Sequence, residues 1–208
     1  MGVRKGIFIT FEGFEGSGKS TQAKLLCRYL RRKKMDVLHV REPGGVNISE
    51  KVRQILLDVK NKKMTKVCET LLYMAARAQL VEEVILPALR KGKVVVCDRF
   101  LDSTLAYQGY GCGVNIELIK MIGRFATQDV SPHLTLLFDI DVKKGLARAG
   151  RVKDRIESRS LDYHNRVRQG YLKIAKQNPK RIRVIDSLAS KEEIQKSVCA
   201  IINRFLKI

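Results

Sequence analysis

The segment Gly13-Phe14-Glu15-Gly16-Ser17-Gly18-Lys19-Ser20 has the residue types and spacing to hold a triphosphate. Its glycines let the backbone curl so that N–H groups face phosphate oxygens. Lys19 adds a point charge, and Ser20 offers a hydroxyl to Mg2+. A helix beginning near Lys19 would turn its positive end to the same anion. Asp98 follows the apolar run Val94-Val95-Val96-Cys97. A carboxylate at a strand tip beside such a loop holds Mg2+ or its water shell. The plain alternatives are a glycine-rich turn with a chance Lys-Ser and an aspartate that merely ends a strand. An apolar strand before the loop and a helix after it weigh against both. The chemistry indicated is ATP-dependent phosphoryl transfer.

Such a loop must be mounted on a sheet. Short, continuous apolar runs alternate with helical patterns along the chain. That alternation implies βαβ units and a parallel sheet with helices on both faces. Strands are expected at 7–11, 37–40, 94–97, 134–140 and 183–185. Helices are expected from about 19, then over 49–58, 67–89, 116–126 and 160–177, and a last one carries Ile194, Val198, Ile201, Ile202, Phe205 and Leu206 at helical spacing. Pro87 should kink or restart the long helix. The arginine-rich stretch 148–159 has few core residues and reads as a mobile flap between helices.

At 208 residues and 45% hydrophobic content the chain most simply forms a single domain, 1–208. Its five cysteines form no C-x-x-C pair, which disfavours zinc ligation and a disulfide framework and fits a reducing cytoplasm. No secretory leader or membrane span is expected: Met1-Gly2-Val3-Arg4-Lys5 runs directly into a short strand, and no apolar stretch is long enough. The net charge of +20 would attract nucleotides or other polyanions, but the bases are spread along the chain and form no single arm.

A GTPase would need N-K-x-D, and Asn61-Lys62-Lys63-Met64 lacks the aspartate. A nucleic-acid motor would need a larger chain. A small-molecule kinase remains. The chain resembles thymidylate kinases in five segments that keep the family's order: Phe11 to Thr21; Arg41-Glu42-Pro43-Gly44-Gly45; Tyr73-Met74-Ala75-Ala76-Arg77; Asp98-Arg99-Phe100 with Ser103-Thr104-Leu105-Ala106-Tyr107-Gln108-Gly109; and Asp154-Arg155-Ile156-Glu157. The P-loop is shared by many families; the Ser-Thr-x-Ala-Tyr-Gln-Gly stretch is far more specific.

The resemblance implies the P-loop nucleoside-monophosphate-kinase fold with a five-stranded parallel sheet, ATP and Mg2+, dTMP as acceptor, and a homodimer. It also implies residue roles. Arg99, near Ser103, would clamp the acceptor phosphate, since a guanidinium takes two oxygens at once. Tyr73 and Arg77, four apart on a helix, would stack on and donate to the base. Thr104 and Gln108 would read the pyrimidine edge. Tyr107 would crowd a ribose 2′-hydroxyl, Glu15 would approach the sugar or the metal, and Pro43 would wall the pocket. Core packing for Tyr73 and Tyr107 and a surface ion pair for Arg77 are the plainer roles. The flap resembles the family's lid, with Arg148, Arg151 and Arg155 stabilising the transferred phosphoryl group. With no arginine between Gly13 and Gly18, the bacterial-type arrangement is implied, and catalytic charge falls to Lys19, Mg2+ and the lid. Another nucleoside-monophosphate or deoxynucleoside kinase, or a basic nucleic-acid-binding ATPase, stands as the alternative.

Overall fold

A computed structural model describes residues 6–150 and 154–208. Arg151, one of the expected lid arginines, lies outside these residues. Five strands, β1 (Ile7–Gly13), β2 (Val37–Arg41), β3 (Val94–Asp98), β4 (Leu134–Asp139) and β5 (Ile182–Asp186), form one parallel sheet in the order β2-β3-β1-β4-β5. All five coincide with the expected apolar runs to within two residues at either end. They were readable because β1, β3 and β4 are buried on both faces, which demands unbroken apolar sequence.

Helices α1 (Lys19–Arg32) and α9 (Lys191–Leu206) cover one face, where Leu26 and Leu30 meet Val198, Ile202 and the side chains of β1 and β4. Helices α2 (Asn47–Leu57), α3 (Lys66–Leu80), α6 (Ile116–Thr127) and α8 (Leu161–Gln177) also match the expected positions. Beyond α3 the chain stays helical, but Val81–Ile85 widens into a π-helical turn before α4 (Leu86–Arg90). That break falls immediately ahead of Pro87, whose ring cannot fit behind an ordinary helical turn.

Two helical segments were not foreseen. After β3, α5 (Leu101–Thr104) runs into a π-helical stretch, Leu105–Gly111. Gly109 and Gly111 argue against a helix locally, yet they let this stretch pack closely: a Cβ on Gly109 would lie 2.4 Å from the Ile116 side chain of α6, and one on Gly111 2.6 Å from the Tyr163 ring of α8. The second is α7 (Val142–Ala149), capped by the Asp141 side chain, which accepts from the backbone N–H groups of Lys143 and Lys144. It takes in Arg148, so the flap expected from 148 begins with the last turn of a helix.

Parallel register brings the functional loops to one edge. Phe11 of β1 pairs with Asp98 of β3, and Asp98 with Arg41 of β2. The loops that follow these strands carry the P-loop, Arg99 and Glu42-Pro43. They are tied together where the Arg99 N–H donates to the Phe11 carbonyl and the Glu42 N–H to the Asp98 carbonyl, both at 2.9 Å. This carboxyl edge, where strand order reverses on either side of β1, is where open α/β sheets bind ligands.

Candidate active site

The P-loop leaves its backbone donors available. Gly18 caps α1 in the left-handed conformation with no side-chain hydrogen bond, and the first turn of α1 holds no acidic residue. The first N–H groups of the helix therefore await an anion. Gly16 has φ +69°, and a Cβ there would strike the Gly145 carbonyl at 2.0 Å, so only glycine fits between the loop and α7. Phe14 turns inward onto Ile140, Val142 and the His164 ring, packing the loop from below. Ser17 is buried with its hydroxyl unpartnered, while Ser20 and Thr21 are exposed.

A cavity of about 340 Å³ opens beside the loop. Glu15, Gly16, Lys19 and Ser20 line it from the P-loop, with Asp98 and Arg99 from the end of β3. Pro43, Tyr73, Ser103, Thr104, Tyr107 and Gln108 complete the set of expected residues that the fold brings together. Gly13, Phe14, Ser17, Gly18 and Thr21 build the loop without lining the cavity.

At the centre stands an ion pair. Arg99 Nη2 donates to Glu15 Oε1 at 2.6 Å, and the Tyr107 hydroxyl donates to Glu15 Oε2 at 2.5 Å. Arg99 Nη1 reaches the Ser103 and Tyr171 hydroxyls at 3.2 and 3.1 Å, and its guanidinium lies 5.2 Å from the Tyr107 ring centre. Arg99 has φ +71°, an uncommon conformation for a residue with a side chain, held by the strand-end hydrogen bond to Phe11. Burial alone would raise the Glu15 carboxyl, but Arg99, Lys19 and the Tyr107 hydroxyl hold it below its ordinary range. Burial and then Arg99 lower Lys19, while Asp98, Glu15 and Glu12 pull the other way.

Beneath this pair sits a carboxyl to which the sequence reading gave no role. Glu12 Oε1 accepts from the Phe100 N–H at 2.7 Å, and its Oε2 from the Ser103 and Tyr171 hydroxyls at 2.5 and 3.0 Å. Burial, with Asp102 nearby, pushes it up to about 7. Arg53, also unforeseen, lines the cavity from α2 and donates to the Pro43 carbonyl at 3.0 Å. No motif marks it in the sequence; it enters the site because it lies four residues before Leu57, which lines the same cavity.

Three expected residues stand elsewhere. Arg77 is 2% exposed and sits behind the cavity wall. Its Nε donates to Glu42 Oε2 at 2.8 Å and its Nη2 to the Phe100 carbonyl at 3.1 Å, so it braces the cis Glu42-Pro43 peptide against the loop after β3. Arg148 donates from Nη1 to the Ser187 carbonyl at 2.9 Å. Arg155 donates from Nε to the Leu56 carbonyl at 2.8 Å and pairs through Nη1 with Glu69 Oε2 at 2.6 Å. Its neighbours Asp154, Ile156 and Glu157 line the cavity instead.

Asp98 Oδ1 is buried without a partner, and the Ser20 hydroxyl lines the same cavity. Thr104 Oγ1 is a second buried atom left unpartnered at the cavity wall. Buried polar atoms rarely stay unsatisfied, so both point to something bound.

A parallel sheet with a P-loop at its carboxyl edge, opposite a second basic and aromatic subsite, defines a P-loop kinase for a small phosphorylated acceptor. Comparison with known proteins narrows the class. The family profile described as thymidylate kinase matches residues 11–198. The chain is 50% identical to a thymidylate kinase of Kosmotoga olearia over 92% of its own length and 93% of the relative's. It is 45% identical to one of Symbiobacterium thermophilum, covering 96% and 94%. The crystal structure of thymidylate kinase from Ehrlichia chaffeensis superposes with a TM-score of 0.78 at 36% identity, covering 95% of this chain and 98% of that one. The chain belongs to the thymidylate kinase family.

Proposed function

We propose that this chain transfers the γ-phosphoryl group of ATP to dTMP, giving ADP and dTDP. The observation that carries the reading is the single cavity in which Lys19 and Glu15 of the P-loop face Arg99, Tyr107, Thr104 and Gln108. A phosphate donor on one side and a nucleotide acceptor on the other can meet there in line.

The P-loop N–H groups and Lys19 hold the donor phosphates. Lys19 gains from this contact, because phosphate charge restores an ammonium that burial disfavours. Arg99, oriented by Glu15, Ser103 and Tyr171, takes the acceptor phosphate, and Arg53 adds a second positive charge on that side. A phosphate oxygen of dTMP attacks the γ-phosphorus while the bond to the β-γ bridging oxygen breaks. The attacking oxygen is already anionic, so no general base is required. Positioning and charge neutralisation supply the rate. Tyr107, its hydroxyl held by Glu15, would crowd a ribose 2′-hydroxyl and so favour deoxyribose.

Asp98 and Ser20 suit Mg2+: the cation takes one or two protein oxygens and fills its remaining positions with phosphate and water. When bound, Mg2+ held by these residues would supply positive charge that offsets the charge of the donor phosphates. The whole chain is read as one catalytic domain working in the cytoplasm, with its lid at about 148–159.

Incubation with ATP and dTMP should give ADP and dTDP in equal amounts by chromatography, and Lys19→Ala should lower turnover about a thousandfold or more with the fold intact. Near-normal turnover in Lys19→Ala, or ADP formed without dTDP, would overturn the assignment.

A further inference from the structure

Gln108 is 1% exposed, and its Nε2 donates to Glu69 Oε1 at 2.9 Å. Glu69, in the first turn of α3, is fully buried. Its Oε2 receives Arg155 Nη1 at 2.6 Å and Arg159 Nη2 at 2.5 Å. A carboxylate bridging two guanidinium groups is an acceptor only. A glutamine beside it must turn its NH2 inward, because the opposite orientation would set two oxygens against each other and leave a buried NH2 unpaired.

The other end of the amide is thereby fixed. None of the described residues donates to Gln108 Oε1, and it is not among the fully buried unpartnered atoms. With Nε2 held by Glu69, Oε1 is the remaining polar atom of a side chain that lines the cavity. That edge of the pocket offers an acceptor and cannot turn to offer a donor. Thymine and uracil carry a hydrogen on N3, whereas cytosine has a lone pair there. Thr104, whose hydroxyl both donates and accepts, cannot make this distinction.

We propose that Glu69 is a specificity-determining positioning residue: by fixing which end of the Gln108 amide faces the cavity, it admits pyrimidines with N3–H and rejects cytosine. The same carboxylate holds Arg155 and Arg159, so the C-terminal part of the lid segment is fastened to the group that orients the base reader. The inference rests on the reading that Gln108 faces the base.

The test compares kcat/KM for dTMP, dUMP and dCMP in the unaltered protein, Glu69→Gln and Gln108→Leu. In Glu69→Gln the amide is free to turn, and the dTMP:dCMP ratio should fall about tenfold or more. The dTMP:dUMP ratio, which senses only the methyl group, should stay within about twofold. A merely structural loss would lower all three acceptors in proportion and leave both ratios unchanged. A dTMP:dCMP ratio that holds in Glu69→Gln but falls in Gln108→Leu would overturn the role of Glu69 and leave the base reading standing. A ratio unchanged in both variants would overturn the base reading as well. Should Glu69→Gln fail to fold, the exchange Glu69→Gln with Gln108→Glu keeps the volume and one carboxylate. It should retain preference for dTMP, and loss of that preference would contradict the proposal. In the unaltered protein the Gln108 NH2 protons should keep their NMR shifts when dTMP binds, and a large shift would place the NH2 at the base and sink the idea.

Discussion

Glu12 and Glu15 lie three residues apart and titrate in opposite directions. Glu15 faces Arg99 and Lys19 and is held low, whereas Glu12 is enclosed by neutral donors and burial pushes it up to about 7. Neither shift was legible in sequence: Glu15 was expected to approach the sugar or the metal, and Glu12 was given no role. What decides them is which side chains arrive from β3 and α8. Glu12 has an ordinary value of 4.5, so the folded form keeps its proton while the unfolded form loses it between 4.5 and about 7. Its contribution to stability is therefore greatest below 4.5 and falls as pH rises through that window. Glu42, pushed by burial to about 7 against the pull of Arg77, adds the same sign. Between about pH 5 and about pH 7.5, urea unfolding should show stability falling, and Glu12→Gln should reduce that fall by roughly 2 kcal/mol. An identical pH slope in Glu12→Gln would show that Glu12 does not titrate in this window.

Among the secondary-structure elements, the strands were readable and the segments beside the lid were not. Doubly buried strands write themselves as apolar runs. The stretch 101–111 takes its helical form from packing on α8, and α7 is short, basic and set by the Asp141 cap. The motif residues Asp154 to Glu157 were found, but the direction of each side chain was not: Arg155 turns to Glu69 and Leu56 while its neighbours face the cavity. Arg155→Ala breaks a buried pair and should destabilise the fold by about 3 kcal/mol in urea unfolding, with any loss of activity following the loss of stability. A large drop in kcat with unchanged stability would mean that Arg155 leaves Glu69 during turnover and reaches the phosphoryl group.

Across the molecule, the charge of +20 has a partial structural account. In a parallel α/β fold the helices run back towards the amino edge of the sheet, and their C-terminal ends favour cations. Arg31 and Arg32 end α1, Arg90 ends α4, and with Lys33, Lys34 and Lys91 they gather at the edge opposite the active site. A second surface feature is apolar. Val67 and Leu71 on α3 and Leu118, Met121 and Phe125 on α6 are exposed on two helices that pack together, with Phe125 87% exposed. We propose that these residues pair two copies of the chain, since so many large exposed apolar side chains on two neighbouring helices are unusual on a monomer. Light scattering should give twice the chain mass, and Phe125→Glu should give the monomer; a monomeric unaltered protein would contradict the pairing. The most direct test of the central claim is the acceptor profile at fixed Mg-ATP. The kcat/KM for dTMP should exceed those for AMP, GMP and CMP by about a hundredfold or more, and ATP hydrolysis stimulated by DNA with no dTMP turnover would contradict it.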